Sequence, residues 1–206
     1  MKIAAGFSFE RRLWESGVNV VAGIDEVGRG SWAGPVVAAA VVFPKNTLPD
    51  FEIFDSKLLI PQKREEISYK IYSIAKVGIG VIKVPTINKI GIGRASQKAF
   101  KEAVRALPLD PEYFLIDAFY IQSWVRENQM PIKKGDRVCA SIAAASVVAK
   151  VYRDSLMRQL DKKHPGYGLA IHKGYGTKMH QKALSNLSLS SIHRKSFNLK
   201  PFLSAG

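Results

Sequence analysis

With 206 residues, 47% of them hydrophobic and 23% charged, the chain has the composition of an ordinary globular protein and the length for one sizeable core, which excludes extended disorder. The longest apolar run, Val36 to Phe43, is far below the ~18 residues of a membrane span; MKIAAGFSFERR lacks a signal peptide's apolar stretch, and the lone Cys139 allows no internal disulfide, so a cytoplasmic protein of one domain, residues 1-206, is expected. Charge is the first functional clue: 31 Lys and Arg oppose 17 Asp and Glu for a net +14, and 11 of those cations against only 2 of the acids lie between Lys150 and Gly206, a composition suited to phosphate backbones as well as to mere solubility.

In chain order, residues 18–26 and 35–43 read as packed strands, being β-branched, apolar and bounded by Gly or Pro. Between them GIDEVGRGSWAGP places Asp25 and Glu26 side by side on an otherwise apolar strand, followed by Gly28, Arg29 and Gly30. PQKREEISYKIYSIA opens on Pro61 and repeats Ile67, Ile71 and Ile74 at helical spacing. Residues 77–84 read as a strand, Asn88 to Leu107 as a helix, and Tyr113 to Ile116 as a short strand ending on Asp117. The segment from there to Lys134 fits no single pattern. From Arg137, Val138, Ile142, Ala145, Ala149, Tyr152, Leu156 and Leu160 mark one face of a long helix, whose first half, ASIAAASVVAK, is small enough for close approach, with hydroxyls free to face something polar. After His164 a Gly-rich loop, a short helix and a basic tail follow. Strands first, then alternating helices and strands, imply an α/β layered domain with a mixed sheet.

Four carboxylates occupy positions that solvation does not explain: Asp25, Glu26, Asp117 and Asp136. Asp136 is also readable as a helix N-cap and Asp117 as a strand-ending turn residue, but a buried acid pair needs a cation or donors. Three or four converging carboxylates call for a divalent ion, and hard oxygen ligands select Mg²⁺ or Mn²⁺ over zinc. His164, His172, His180 and His193 lack zinc-site spacing and read as surface or substrate-facing. A metal-carboxylate cluster beside a basic surface points to phosphoryl transfer on nucleic acid. One geometric objection stands: strand neighbours point to opposite faces, so Asp25 and Glu26 share a metal pair only if the strand bends, which Gly28 and Gly30 would permit.

The run of motifs FSFERRLWESGVNVVAGIDEVGRG, AGPVVAAAVVFP, DSKLL, FLIDAF, KKGD, SIAAASVVAKVYRD, HPGYG, HKGYGT and HRKSF spans nearly the whole chain and resembles bacterial ribonuclease HII, of the type 2 ribonuclease H family. The resemblance implies a ribonuclease H-like fold: a five-stranded mixed sheet flanked by helices, with a mostly helical, basic C-terminal part at 164-206 that binds substrate. It implies a monomeric endonuclease that cuts the RNA strand of RNA/DNA hybrids and the 5′ side of ribonucleotides embedded in duplex DNA, leaving 3′-hydroxyl and 5′-phosphate ends. By the same resemblance Asp25, Glu26, Asp117 and Asp136 bind the metal, Gly28, Arg29 and Gly30 read the 2′-hydroxyl through their backbone, Lys57 contacts phosphate, and Tyr175 senses the RNA-to-DNA junction. Gly174 and Gly176 on either side of Tyr175 favour an exposed ring over a core tyrosine.

Three departures bear on the loops around the site. Ser31 and Trp32 replace a Pro followed by an aliphatic residue, DSKLL replaces DSKKL, and Ala118 stands where Gly is typical. The sister type, ribonuclease HIII, carries an extra N-terminal domain, for which the position of Asp25 is expected to leave no room. Two rival readings are a junction nuclease with the same metal chemistry, separable by an all-DNA branched substrate, and a non-catalytic nucleic-acid-binding protein, separable by metal dependence. Recruitment by a sliding clamp is not legible in the sequence.

Overall fold

Every residue from Val36 to Val42 is buried, which demands cover on both faces of that strand. The computed structural model, which describes residues 4–203, supplies it. Strands β1 (Val21–Val27), β2 (Val36–Val42), β3 (Lys76–Ile82), β4 (Tyr113–Asp117) and β5 (Gln129–Ile132) form one mixed sheet in the order β3-β2-β1-β4-β5. The pairs β1–β2 and β2–β3 are antiparallel, and β1–β4 and β4–β5 are parallel. Helix α5 (Ala140–Lys163) lies across β1 and β2 on one face with α2 (Pro61–Ile74) beside it, while α4 (Ile92–Arg105) covers β2 and β3 on the other.

Bare backbone lets both helices sit this close. A Cβ at Gly23 would fall 2.2 Å from the Ser141 backbone, and one at Gly78 or Gly80 would fall 2.1 Å from the carbonyl oxygens of Ala103 and Ala99. The first four strands match the expected positions to within a few residues. Strand β5 lay in the segment without a pattern: it is a short edge strand containing Pro131, which alternation does not reveal.

Two expected helices differ in extent. The one expected over Asn88 to Leu107 is two helices, α3 (Val84–Ile90) and α4, because Gly91 at φ 78° breaks the ladder between them. The long helix expected from Arg137 begins at Ala140, after a 3₁₀ turn over Gly135–Arg137. Its cap comes from an element the sequence did not announce, α1 (Ser8–Glu15): buried Glu10 accepts the Ser141 N–H at 2.7 Å and the Cys139 thiol at 3.2 Å. Asp136 is therefore not the N-cap.

The C-terminal part packs helices α6 (Leu169–His172) and α7 (Lys178–Leu187) over Ala33, Met157, Tyr167 and Ile192. Here the structure corrects one expectation: His172, His180 and His193 are buried, not surface or substrate-facing, and only His164 is partly exposed. Their hydrogen bonds fix every proton. Ser190 N–H donates to His193 Nδ1 at 2.9 Å, so His193 Nε2–H donates to His180 Nε2 at 3.1 Å, and His180 Nδ1–H donates to the Tyr175 carbonyl at 3.0 Å. Gly174 N–H donates to His172 Nδ1 at 3.1 Å, leaving His172 Nε2–H for the Tyr167 carbonyl at 2.7 Å. His172 stacks on His180 with ring centroids 4.4 Å apart.

Such a chain works only with neutral rings. Burial pushes His180 and His193 down from 6.5 to about 4, in His180 against its bond to the Tyr175 carbonyl. Because the folded state binds these protons more weakly than the unfolded state, stability is fully present above the unfolded value of 6.5 and is lost as pH falls towards 4. The loss should be on the order of 3 kcal/mol per histidine across that window. Chemical denaturation between those pH values should show a steep fall in wild type and a shallower one in His180→Asn, which is less stable at neutral pH; equal slopes would refute the neutral chain.

Candidate active site

Asp25 and Asp117 are brought together by strand pairing: Ile24 of β1 is in register with Ile116 of β4, so the next residue on each parallel strand is an acid. Asp25 lies two residues beyond Gly23 and so on the face covered by α5, whose Ser146 hydroxyl hydrogen-bonds it. Ser146 of ASIAAAS thus turns its hydroxyl to something polar, as expected of that stretch, while Ser141 lies against Gly23. Glu26, paired with Ala38, belongs by register to the opposite face, and the bend at Gly28, φ 88°, comes only after it. Its N–H nevertheless donates to Asp25 Oδ1 at 2.7 Å, and Arg29 Nη1 stands 4.0 Å from its carboxylate.

Asp136 joins the group from the turn ahead of α5. Asp117 Oδ1 accepts the Gly135 N–H at 2.8 Å, tying the end of β4 to that turn, and Lys57 Nζ bonds Asp136 Oδ2 at 3.1 Å. Lys57 is itself placed by α5. Arg64 of α2 reaches the carbonyls of Ser56 and Leu59 at 2.9 and 2.8 Å while standing 3.6 Å from Asp154, and Ser56 Oγ meets Ser146 Oγ at 3.0 Å. The Asp25–Ser146–Ser56 contacts therefore couple the acid on the strand to the lysine on the loop.

The electrostatics are those of acids short of positive charge. Burial, and then the charges of Glu26 and Asp117, hold Asp25 well above the usual carboxylate range. Burial pushes Glu26 up to about 7, with Arg29 opposing it and Asp117 adding to it. Burial also raises Asp117 against its bond from Gly135. For Lys57, burial lowers the pKa but the Asp136 bond overrides it and the net shift is upward. Among the described residues, no three His, Cys, Asp or Glu side chains stand in an arrangement that holds a metal ion as they are. The donor set nevertheless fits a hard divalent cation: its oxygens are undercompensated, and only such an ion lets all the carboxylates ionise together.

The loop after β1 is clamped from behind by two arginines that sequence reasoning did not single out. Arg153 and Arg194 are fully buried. Arg153 donates to the carbonyls of Pro35, Lys173 and Ala33 at 2.9, 3.0 and 3.2 Å, and Arg194 to those of Gly34 and Arg29 at 3.0 and 2.9 Å. A Cβ on Gly28 would strike Arg153 Nε at 2.1 Å, whereas one on Gly30 would meet nothing within 4 Å. Gly28 is required by the clamp, and Gly30 leaves its outer side open. Tyr175 is half-buried rather than exposed, its ring centroid 5.6 Å from the Arg153 guanidinium. Neither arginine stands out in the sequence, since Arg153 adjoins Asp154 and Arg194 lies between His193 and Lys195.

The departures also have local causes. Trp32 stacks on Phe202 with centroids 4.6 Å apart and covers Gly176, filling the C-terminal core. Ala118, immediately after Asp117, sits at φ 61°, a region where glycine is strain-free and alanine is not. Ala118→Gly should raise stability by about 0.5–1 kcal/mol in a denaturant titration; a loss instead would mean that the methyl group packs usefully.

Residues 22–200 match the family described as Ribonuclease HII. Ribonuclease HII of Herpetosiphon aurantiacus is 45% identical over 202 residues, covering 93% of this chain and 95% of that one. Among solved structures, ribonuclease H2 of Pyrococcus horikoshii OT3 superposes with a TM-score of 0.76 at 22% identity, covering 89% of this chain and 96% of that one. Bst-RNase HIII in complex with Mn²⁺ superposes with a TM-score of 0.70 at 22% identity, over 90% of this chain and 69% of that one. These likenesses establish the ribonuclease H-like fold, and the family match together with the close relative shows that the chain belongs to the ribonuclease HII family of endoribonucleases.

Proposed function

We propose that this chain cuts the RNA strand of RNA/DNA hybrids, and the 5′ side of a ribonucleotide embedded in duplex DNA, by metal-dependent phosphodiester hydrolysis that leaves 3′-hydroxyl and 5′-phosphate ends. The observation that carries the reading is the adjacency of an undercompensated carboxylate group, Asp25, Glu26 and Asp117, to a clamped glycine loop whose outer side is open at Gly30. Only the 2′-hydroxyl separates RNA from DNA at a given nucleotide, and bare backbone at Gly28, Arg29 and Gly30 can approach it closely.

Asp25, Glu26, Asp117 and Asp136 would hold Mg²⁺ or Mn²⁺, which when bound supplies activation of a water and neutralisation of the leaving oxygen; the Mn²⁺ complex of Bst-RNase HIII supports divalent ions in this fold. Lys57 lies beside Asp136 with most of its side chain in solvent, where it would meet a phosphate. The basic segment 164-206 would bind the duplex, with Tyr175 on the DNA side of the junction.

The decisive test is cleavage of a duplex with one embedded ribonucleotide in Mg²⁺, Mn²⁺ or chelator. Wild type should cut 5′ of the ribonucleotide with either metal and not at all with chelator. Asp117→Asn should retain less than about a tenth of the activity while melting at the same or a slightly higher temperature in metal-free buffer, since it relieves repulsion among the acids. Cleavage insensitive to chelator, or a fully active Asp117→Asn, would sink the metal reading.

Tyr175 gives a separate test. Stacking of an aromatic ring on a nucleotide is worth ~1–3 kcal/mol, so Tyr175→Ala should slow single-ribonucleotide cleavage roughly 10- to 100-fold. Tyr175→Phe should keep most of the activity if the ring face is what matters. Equal loss in both would assign the effect to the hydroxyl, and a collapsed melting temperature in Tyr175→Ala would assign the ring to the core.

A further inference from the structure

The basic C-terminal segment is not the only cationic surface. On the opposite side of the sheet α4 carries Arg94, Lys98, Lys101 and Arg105, spaced by four, three and four residues along one helix face. The row runs for about 16 Å. Among the described residues only Lys98 of the four has an ion-pair partner, Glu102 at 3.8 Å. A cavity of about 440 Å³ lined by Arg29, Arg94, Gln97, Phe119 and Gln122 opens beside the acidic site, and a second of about 310 Å³, sharing Arg94, Gln97 and Gln122, continues it along Lys98, Lys101 and Arg105. One groove therefore starts at Arg29 of the glycine loop and follows α4 away from the site.

Its wall is fixed. Gln97 of α4 donates to the Tyr120 carbonyl at 2.9 Å and accepts the Gln122 N–H at 2.8 Å, stitching the helix to the loop after Asp117. That loop presents two exposed aromatic rings, Phe119 and Tyr120. Each already carries a guanidinium over its face: Arg29 at 4.6 Å from the Phe119 centroid and Arg126 at 4.7 Å from that of Tyr120. Beyond the FLIDAF motif this segment fits no single sequence pattern, and the acidic site described above uses neither ring.

Exposed aromatics interleaved with cations along a groove are the chemistry of single-strand binding, where unpaired bases stack and the backbone follows positive charge. A flexible strand can follow such a groove wherever it turns, whereas a stiff duplex engaged at the acids could follow it only along its own axis. We infer that the groove from Arg29 along α4 binds a single-stranded extension of the nucleic acid held at the acidic site, with Phe119 and Tyr120 as its stacking platform. The inference rests on the nucleic-acid substrate proposed above.

The test compares a blunt duplex bearing one embedded ribonucleotide with the same duplex extended by a single-stranded tail of about ten nucleotides, at each end in turn, in binding measured by anisotropy in chelator. Wild type should prefer one tailed form roughly 10-fold or more. The triple variant Arg94→Ala, Lys101→Ala, Arg105→Ala and the double variant Phe119→Ala, Tyr120→Ala should each collapse that ratio towards one. A matched triple variant at the other end of the sheet, Arg11→Ala, Arg12→Ala, Lys45→Ala, should keep it. No preference for a tail at either end, or a loss in the α4 variant that is equal for blunt and tailed forms, overturns the inference. If wild type fails to cut even the blunt duplex in Mg²⁺ or Mn²⁺, the functional reading has failed instead, and that outcome is separate from the tail ratio.

Discussion

Helix α5 and strand β1 can lie against each other only because neither has a side chain of any size at the contact. Gly23 has no Cβ and Ser141 sits where one would be, and along the next turns the helix offers Ala144, Ala145 and Ser146, all buried. This closeness sets the depth of Asp25 in the protein and hands its carboxylate the Ser146 hydroxyl. It also aligns the rest of the helix: Asp154 meets Arg64, which holds the Lys57 loop, and Arg153 reaches the carbonyls of the loop after β1. A larger residue at either contact point would move all of these together.

The price of that depth is charge. Asp25 and Glu26 are buried or nearly so and Asp117 is half-buried; Glu26 and Asp117 raise Asp25, Asp117 raises Glu26 and Asp136 raises Asp117, while the one lysine in the group is engaged with Asp136. Carboxylates left in this state contribute nothing to folding, and protonated ones would be poor ligands. The same low-dielectric setting that makes them costly alone makes their attraction to a divalent ion large, so the site is built to be completed from outside rather than to be stable by itself.

Much of this was legible in the residues. Strands β1 to β4 announced themselves by β-branched runs between Gly and Pro, and the acids stood out because Asp25 and Glu26 interrupt such a run. The small first half of α5 announced a close approach. What stayed hidden depends on contacts between residues far apart in the chain. Glu10 caps a helix more than 130 positions away, so Asp136, local to that helix, looked like its cap. His172, His180 and His193 have no spacing rule because their link is a chain of hydrogen bonds across turns. Strand β5 is an edge strand with Pro131 inside it, and its pattern is too short to read. Arg153 and Arg194 bury full side chains against backbone carbonyls, which composition reads as surface charge.

Those two arginines explain how a loop with three glycines can present a defined backbone. A flexible segment that binds a ligand loses affinity to its own ordering. Arg194 takes the Arg29 and Gly34 carbonyls, Arg153 takes those of Ala33 and Pro35, and Trp32 N–H donates to the Gly174 carbonyl at 2.8 Å. The loop is therefore ordered by groups behind it, and the same Arg153 also bonds the Lys173 carbonyl two residues before Tyr175. Burial lowers the pKa of both guanidiniums, Arg194 to about 9, yet at neutral pH both keep their charge and their donors. The glycine loop and the Tyr175 loop consequently share one anchor, so a shift in either is felt by the other. The two loops proposed to read adjacent nucleotides are thereby held in fixed relation to each other.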